Sequence, residues 1–389
     1  MPRVKNWDNR GVMTVDTREE ADVRGDWEGD DGVSDGLDAY PLDSLLIRTE
    51  QRTIVDVLRR IENGRFKLNP DFQRDFVWDK DRQSRFVESI LMRIPLPVFY
   101  VAEDLDGTLV VVDGLQRLTT LLNFKRGDLK LALRRPELAG LTLESLPPRL
   151  SSRFEDGQLQ FYIIDSKAPE RVRLDIFDRV NSGVPLTRQQ MRNALYSGPA
   201  TRLIHDLADS QELGEATRWF FDKPRFKTGA KDAQKDREAV NRFLAFYVLG
   251  WKSYGTVGHA DMDEFLAKGL RAVNSMSDEK REELRRLFLQ SMTTNHEVFG
   301  RHAFCKHESP DDRKKPLNLA LFEVFSVLLA MFDAGLSRRR AQRLRNGFYK
   351  LIGTPRFLGA ITAATTAPES VQARFDLAFE MVKGVLGDP

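Results

Sequence analysis

The sequence predicts an α+β protein in which a mixed α/β domain precedes an all-helical one. Three observations carry that prediction. Runs of β-branched and aromatic residues stand out in the first half: Val98 to Ala102 (VFYVA), Leu109 to Val112 (LVVV) and Leu159 to Ile164 (LQFYII). Beyond Ser197 strand signals fade, and apolar residues recur at helical spacing instead. Ahead of both, Thr17 to Tyr40 is rich in Asp, Glu and Gly and poor in large apolar residues, the composition of a disordered tail. The expected division is an acidic tail over 1–40, an α/β domain over 41–198 and a helical domain over 199–389.

Each element has its own signal. Thr53 to Ile61 repeats apolar positions at helical spacing, and Gly64 stops it. A short extended piece, Phe66 to Asn69, leads into Pro70. A helix over Asp81 to Met92 places Phe86, Ile90 and Leu91 on one face and ends at Pro95 and Pro97. The VFYVA and LVVV runs, joined across Asp106-Gly107, read as a hairpin. Its second strand stops at Asp113-Gly114, where Leu115 to Phe124 begins a helix. After the LQFYII strand come a helix over Pro169 to Val180, a break at Asn181-Ser-Gly183, and a helix over Leu186 to Tyr196. In the second half helices are expected over Glu238 to Trp251, Met262 to Val273, Glu279 to Gln290, Leu317 to Asp333, Arg338 to Leu351 and Ser370 to Val385.

Composition excludes several classes. With 389 residues the chain has room for two domains, and 41% hydrophobic against 30% charged residues is a soluble balance. No stretch approaches the roughly 18 apolar residues of a membrane span. The first ten residues, MPRVKNWDNR, hold no apolar segment of the signal-peptide kind. One cysteine, Cys305, leaves no intramolecular disulfide and fits a reducing compartment, so a cytoplasmic location is expected. A net charge of +2 neither requires nor excludes a nucleic-acid partner, but without its acidic tail the remainder is more basic.

The chemistry is expected at the turn Asp113-Gly-Leu-Gln-Arg117. A strand that ends in Asp-Gly and opens directly into a helix points the first free amides of that helix at one spot, which favours an anion. Gly114 allows a left-handed turn and close approach of a ligand. Gln116 adds a neutral hydrogen-bonding head, Arg117 a planar fork suited to phosphate, and Asp113 a carboxylate able to orient Arg117, hold Mg2+ through water or accept a proton. The bland alternative is an ordinary helix start with a solvated arginine.

The segment VVVDGLQRLTTLLNF resembles the DGQQR motif of the N-terminal domain family of GmrSD-type restriction endonucleases. Three more segments agree in order and spacing: Asn69-Pro-Asp-Phe-Gln-Arg74 with Trp78, Phe86 to Pro97 (FVESILMRIPLP), and Phe177 to Asn193 (FDRVNSGVPLTRQQMRN). The resemblance covers roughly residues 45 to 200. It implies a ParB/sulfiredoxin-like fold that binds nucleotide phosphates on strand-turn-helix loops, hydrolysis of nucleoside triphosphate with Mg2+, and a role in defence against phage DNA. It casts Asp113, Gln116 and Arg117 as catalytic, and Gln73, Arg74, Gly114, Thr119 and Asn181 as nucleotide-binding. Leu115 replaces the first Gln of the motif and Gln190 replaces a Glu. The five histidines make no HNH pattern, so a nuclease is expected from a separate subunit.

Other constellations are weaker. Trp78 reads first as a core residue. His302, Cys305 and His307 lack the spacing of a common zinc site, and no metal is expected there. Arg338, Arg339, Arg340, Arg343 and Arg345 crowd one expected helix, where Arg339, Arg340 and Arg343 share an arc wide enough to meet a DNA backbone. No Walker A sequence occurs. Two functions lead: an NTP-hydrolysing component of a restriction system, or a ParB-like, DNA-associated switch that binds nucleotide and hardly turns it over. A third, a nuclease acting from the ParB-like domain itself, is neither supported by a metal cluster in the sequence nor excluded by it.

Overall fold

The structure, a computed structural model, describes residues 27–28, 47–68, 78–180, 187–218, 220–222, 234–256, 261–309, 311–313 and 315–389. Seven strands lie among them: β1 (Trp27–Glu28), β2 (Ile47–Thr53), β3 (Phe66–Lys67), β4 (Phe99–Glu103), β5 (Leu109–Asp113), β6 (Gln158–Ile164) and β7 (Leu317–Asn318). Five form a mixed sheet in the order β2-β6-β4-β5-β3, with β6 parallel to β4 and β3 parallel to β5. The helices of this half are α1 (Ile54–Glu62), α2 (Lys80–Leu91), α3 (Leu115–Arg126), α4 (Pro148–Glu155), α5 (Glu170–Val180) and α6 (Arg188–Leu195).

Strand alternation assigns the two faces of the sheet to different cores. Val101, Val111 and Ile163 face one way and pack with Val57, Val87, Leu118 and Phe154 from α1 to α4. Their neighbours Ala102, Val112 and Ile164 face the other way and join a core with Phe177, Met191 and the helical half. Burial on both faces explains why these strands read as continuous apolar runs rather than as alternation.

The helical half continues with α7 (Pro199–Ala208), α8 (Gln211–Thr217), α9 (Lys235–Leu249), α10 (Met262–Asn274), α11 (Asp278–Phe299), α12 (Leu319–Met331), α13 (Ala334–Arg339), α14 (Ala341–Ile352), α15 (Pro355–Ala360) and α16 (Pro368–Leu386). Its core is tied by buried charges. Glu323 on α12 accepts from Arg242 on α9 at 2.6 Å and from Arg374 on α16. Arg242 also bonds Glu238, whose carboxyl is held down to about pH 2: although burial alone would raise it, Lys235, Arg242 and Arg192 more than offset that. Among the described residues no helix is long and apolar enough to cross a membrane.

The mixed α/β architecture agrees with the expected fold class, and several boundaries differ from it. β2 carries no apolar alternation (IRTEQRT) and has no strand signal in the sequence; it is an edge strand whose Arg48 and Arg52 pair with Glu50. Helix α11 runs nine residues past Gln290, because Ser291 and Asn295 lie buried and donate to the carbonyls of Ser326 and Phe325 on α12. Leu317–Asn318 is extended, and Asn318 caps α12 by accepting from the Leu321 amide. The single helix expected over Arg338 to Leu351 is two. It breaks at Arg340, whose guanidinium reaches the Val385 carbonyl near the end of α16. Within the acidic segment, Trp27–Glu28 pairs in parallel with Leu317–Asn318; the rest of that segment lies outside the described residues.

Candidate functional site

Asp113 ends β5, Gly114 turns the chain and Leu115 starts α3, as the sequence implies. Gly114 has φ 106°, a left-handed conformation that glycine adopts freely. Space enforces the same choice. A Cβ here would collide with Cδ1 of Phe99, the first residue of β4. The first intrahelical bond runs from the Leu118 amide to the Gly114 carbonyl at 2.9 Å, and no side chain caps the helix.

Arg117 is the surprise of the site. It is 8% exposed, and its guanidinium turns inward under the turn. It donates to the Pro97 carbonyl at 2.5 Å, the Val98 carbonyl at 3.1 Å and Asp113 Oδ2 at 2.7 Å. The cation also lies 4.3 Å from the centre of the Phe99 ring. Burial pulls its pKa down, against the opposing pull of Asp113. A fork so occupied positions the loop; it is not presented as a phosphate clamp. Asp113 keeps a side chain 39% exposed, and among the described residues its Oδ1 accepts no hydrogen bond.

Gln116 and Thr119 lie half-buried on one stripe of α3. Gln116 Oε1 accepts from the Trp78 amide at 3.4 Å. Trp78 packs edge-on to Phe86 with ring centres 5.7 Å apart, as a core residue does, and Arg82 covers its other side at 4.8 Å. Leu115 is 7% exposed and belongs to the core of the sheet and α1 to α4, so this position presents nothing to a ligand. Gln73, Arg74 and Asn181 lie outside the described residues. Sequence reasoning missed Phe99 and the carbonyls of Pro97 and Val98. The available signal was an aromatic opening the strand that pairs with the Asp-Gly strand.

Residues 54–197 match the family described as GmrSD restriction endonuclease, N-terminal domain. The segment is a GmrSD-type N-terminal domain. No curated protein and no solved structure matches the chain.

Three of the four motif segments can be placed in this GmrSD-type domain. Phe86 to Pro97 supplies the end of α2 and the loop whose last carbonyl Arg117 grips. At its far end, Gln190 accepts from the Thr187 amide at 2.8 Å while Thr187 caps α6, so the Gln performs the reciprocal cap that a Glu would. Arg192 is buried and pairs with Asp263 on α10, and Asn193 donates to Gln234 at 2.8 Å. These two residues fasten the GmrSD-type domain to the helical half.

The arginines expected to meet DNA are divided by the break. Arg339 ends α13, Arg340 is engaged by Val385, and Arg343 lies on α14. Arg339 and Arg343 are exposed, with no ion pair among the described residues; the arc argued for one continuous helix does not apply. His302 and His307 are buried and stack with ring centres 4.7 Å apart. Among the described residues no group of three or more metal-ligating side chains forms, there or elsewhere.

Proposed function

We propose that this chain is the nucleotide-handling component of a GmrSD-type restriction and anti-phage system, built on a ParB/sulfiredoxin-like sheet. It binds a nucleoside triphosphate at the Asp113–Arg117 turn and relies on a separate subunit for HNH nuclease chemistry. The observation that supports this most is the turn itself. Gly114 is held against Phe99 so that the start of α3 and a half-exposed Asp113 face the same space. Arg117 acts from below, fixing Asp113 and the 97–98 backbone.

One carboxylate fits the way Mg2+ is usually held, by one or two acids together with phosphate oxygens and water. Bound there, the ion would supply charge neutralisation on the phosphates. Asp113 would hold it and orient water, and Gln116 and Thr119 would contact the ligand from the first turns of α3. Gln73, Arg74 and Asn181 belong to the same reading, with the exposed Arg339 and Arg343 as the contact to DNA in the cytoplasm. One observation favours the alternative of a switch that binds and hardly hydrolyses: Arg117 is already spent on Asp113 and two carbonyls.

Calorimetric titration of ATP and GTP with Mg2+, beside an assay of phosphate release with and without DNA, tests the proposal. Asp113→Asn should abolish release and weaken Mg2+-dependent binding about tenfold. Arg117→Ala should weaken binding at least as much, through loss of turn geometry, and Arg117→Lys should not restore it. Unchanged nucleotide binding in Asp113→Asn would remove the turn from the site.

A further inference from the structure

A groove of about 760 Å3 opens beside the turn, between the loop after α2, helix α4 and the start of β6. Its floor is apolar, with Ile54 and Ile90. Its walls carry Arg93, Arg149 and Arg153 against a single acid, Asp156. β6 begins at Gln158 and β5 ends at Asp113 at the same end of the sheet, with only β4 between them. Asp113 is level with Tyr162, four residues along β6 from Gln158, so two strand spacings across and four residues along, roughly 17 Å in all, separate the two features.

The state of these arginines sets them apart. Among the described residues the buried arginines are committed: Arg117, Arg173, Arg192, Arg242 and Arg374 each pair with a carboxylate. Arg93 and Arg149 are exposed and make no side-chain hydrogen bond or ion pair among the described residues. Among the described residues Arg153 donates only to the Leu91 carbonyl, at 3.3 Å.

Arg93 also occupies a position that its backbone resists. It follows the end of α2 at φ 58°, with Ile94 donating to the Ser89 carbonyl and Arg93 to that of Ile90, both at 2.9 Å. This is the glycine position of a Schellman helix end, where a Cβ is unfavourable. A residue kept there against the backbone preference points to a use for its side chain.

We infer that this groove holds the sugar-phosphate backbone of a nucleic acid strand, Arg93 and Arg149 meeting successive phosphates and Arg153 a third. Three guanidiniums spread over an open concavity with no nest of amides suit a row of phosphates better than one compact phosphate group. The site stands apart from nucleotide binding at Asp113, although a strand lying in it passes within reach of that turn. It also stands apart from Arg339 and Arg343.

The test is fluorescence anisotropy of a labelled 20-base-pair duplex with the full chain from 50 to 200 mM salt. In Arg93→Gly/Arg149→Gln, binding should weaken at least tenfold at 100 mM. The slope of log affinity against log salt should shrink by about two, since each phosphate contact contributes about 0.9. Neither side chain has a hydrogen-bond or ion-pair partner among the described residues, and Arg93→Gly alone should melt at or above the parent temperature. Asp113→Asn should leave the duplex slope unchanged. An unchanged affinity and slope in the double variant overturns the proposal, as does a parent chain that binds no duplex. Loss of calorimetric ATP binding in the double variant, with duplex binding kept, would make the groove a nucleotide site instead.

Discussion

The two interiors of this molecule handle charge in opposite ways. Among the described residues from 47 to 164, Arg117 is the one buried charged side chain, and it sits at the rim beneath the candidate site. The core between the sheet and α1 to α4 is otherwise uncharged, and its buried polar groups Gln83, Ser84 and Thr120 are hydrogen-bonded to backbone. The helical half places Glu238, Arg242, Glu323 and Arg374 in its centre, each paired. Desolvation makes such pairs poor sources of net stability, yet leaving one partner alone is expensive. The sheet half should therefore be sensitive to shape and the helical half to charge.

The sharpest break of that contrast is Glu323→Ala. It leaves Arg374 without a carboxylate and takes one of two from Arg242, and should destabilise the helical half by about 3–5 kcal/mol. Trp251, stacked on Phe375 with centres 5.2 Å apart, reports that half in a denaturant titration. A loss below about 1 kcal/mol would mean that water reaches these charges. In the sheet half the matching experiment is steric. Gly114→Ala forces a left-handed Cβ into Phe99 and should cost about 2–4 kcal/mol, the sum of backbone and overpacking penalties, together with nucleotide binding. Adding Phe99→Leu should recover part of the stability. If the double variant is no better than Gly114→Ala, the ring is not what excludes the Cβ.

The same contrast explains what could be read from the sequence. The hairpin and the Asp113–Leu115 turn were legible, because β-branched runs, Asp-Gly pairs and the switch to helical period are local signals. The posture of Arg117 was not. Its acceptors at Pro97 and Val98 lie twenty and nineteen residues away, and nothing local distinguishes an inward guanidinium from a solvated one. Likewise the break at Arg340 depends on a carbonyl forty-five residues later. Edge strand β2 was invisible because charged pairs, not apolar alternation, cover its faces. Long-range partners chosen by polar groups are what a single sequence withholds.

A pH titration sharpens the comparison without any mutation. All five histidines fall between residues 205 and 307, so the sheet half has none. His307 is buried among Phe348, Tyr349 and His302, and burial pushes its pKa down to about 4. The neutral form is thus favoured by folding. Its contribution is fully present above the unfolded value near 6.5 and is lost as pH falls toward 4. Between pH 7 and pH 5 the helical half should lose about 2 kcal/mol, while the sheet half changes little. His307→Phe should flatten that limb. An unchanged limb would assign the acid sensitivity to other groups. Glu238 enters only further down, from about pH 4.5 toward 2.

The smallest expected effect concerns the acidic segment. Its composition cannot order it alone, yet Trp27–Glu28 pairs with Leu317–Asn318, the strand that leads into α12. Leu317 also bridges Cys305, so it keeps a partner when the segment is removed. A chain starting at Ala39 should therefore retain both halves. Two residues of parallel pairing contribute little beyond the entropy of holding them, and each net hydrogen bond is worth about 1 kcal/mol. The helical transition should fall by about 1 kcal/mol or less, and the sheet transition should not move. A drop of about 3 kcal/mol or more would show that the acidic segment docks over a wider surface than this short pairing explains. Its charge would then point to a basic face that it covers, and duplex binding should rise in the shortened chain. No rise, with such a drop, would make the segment purely structural.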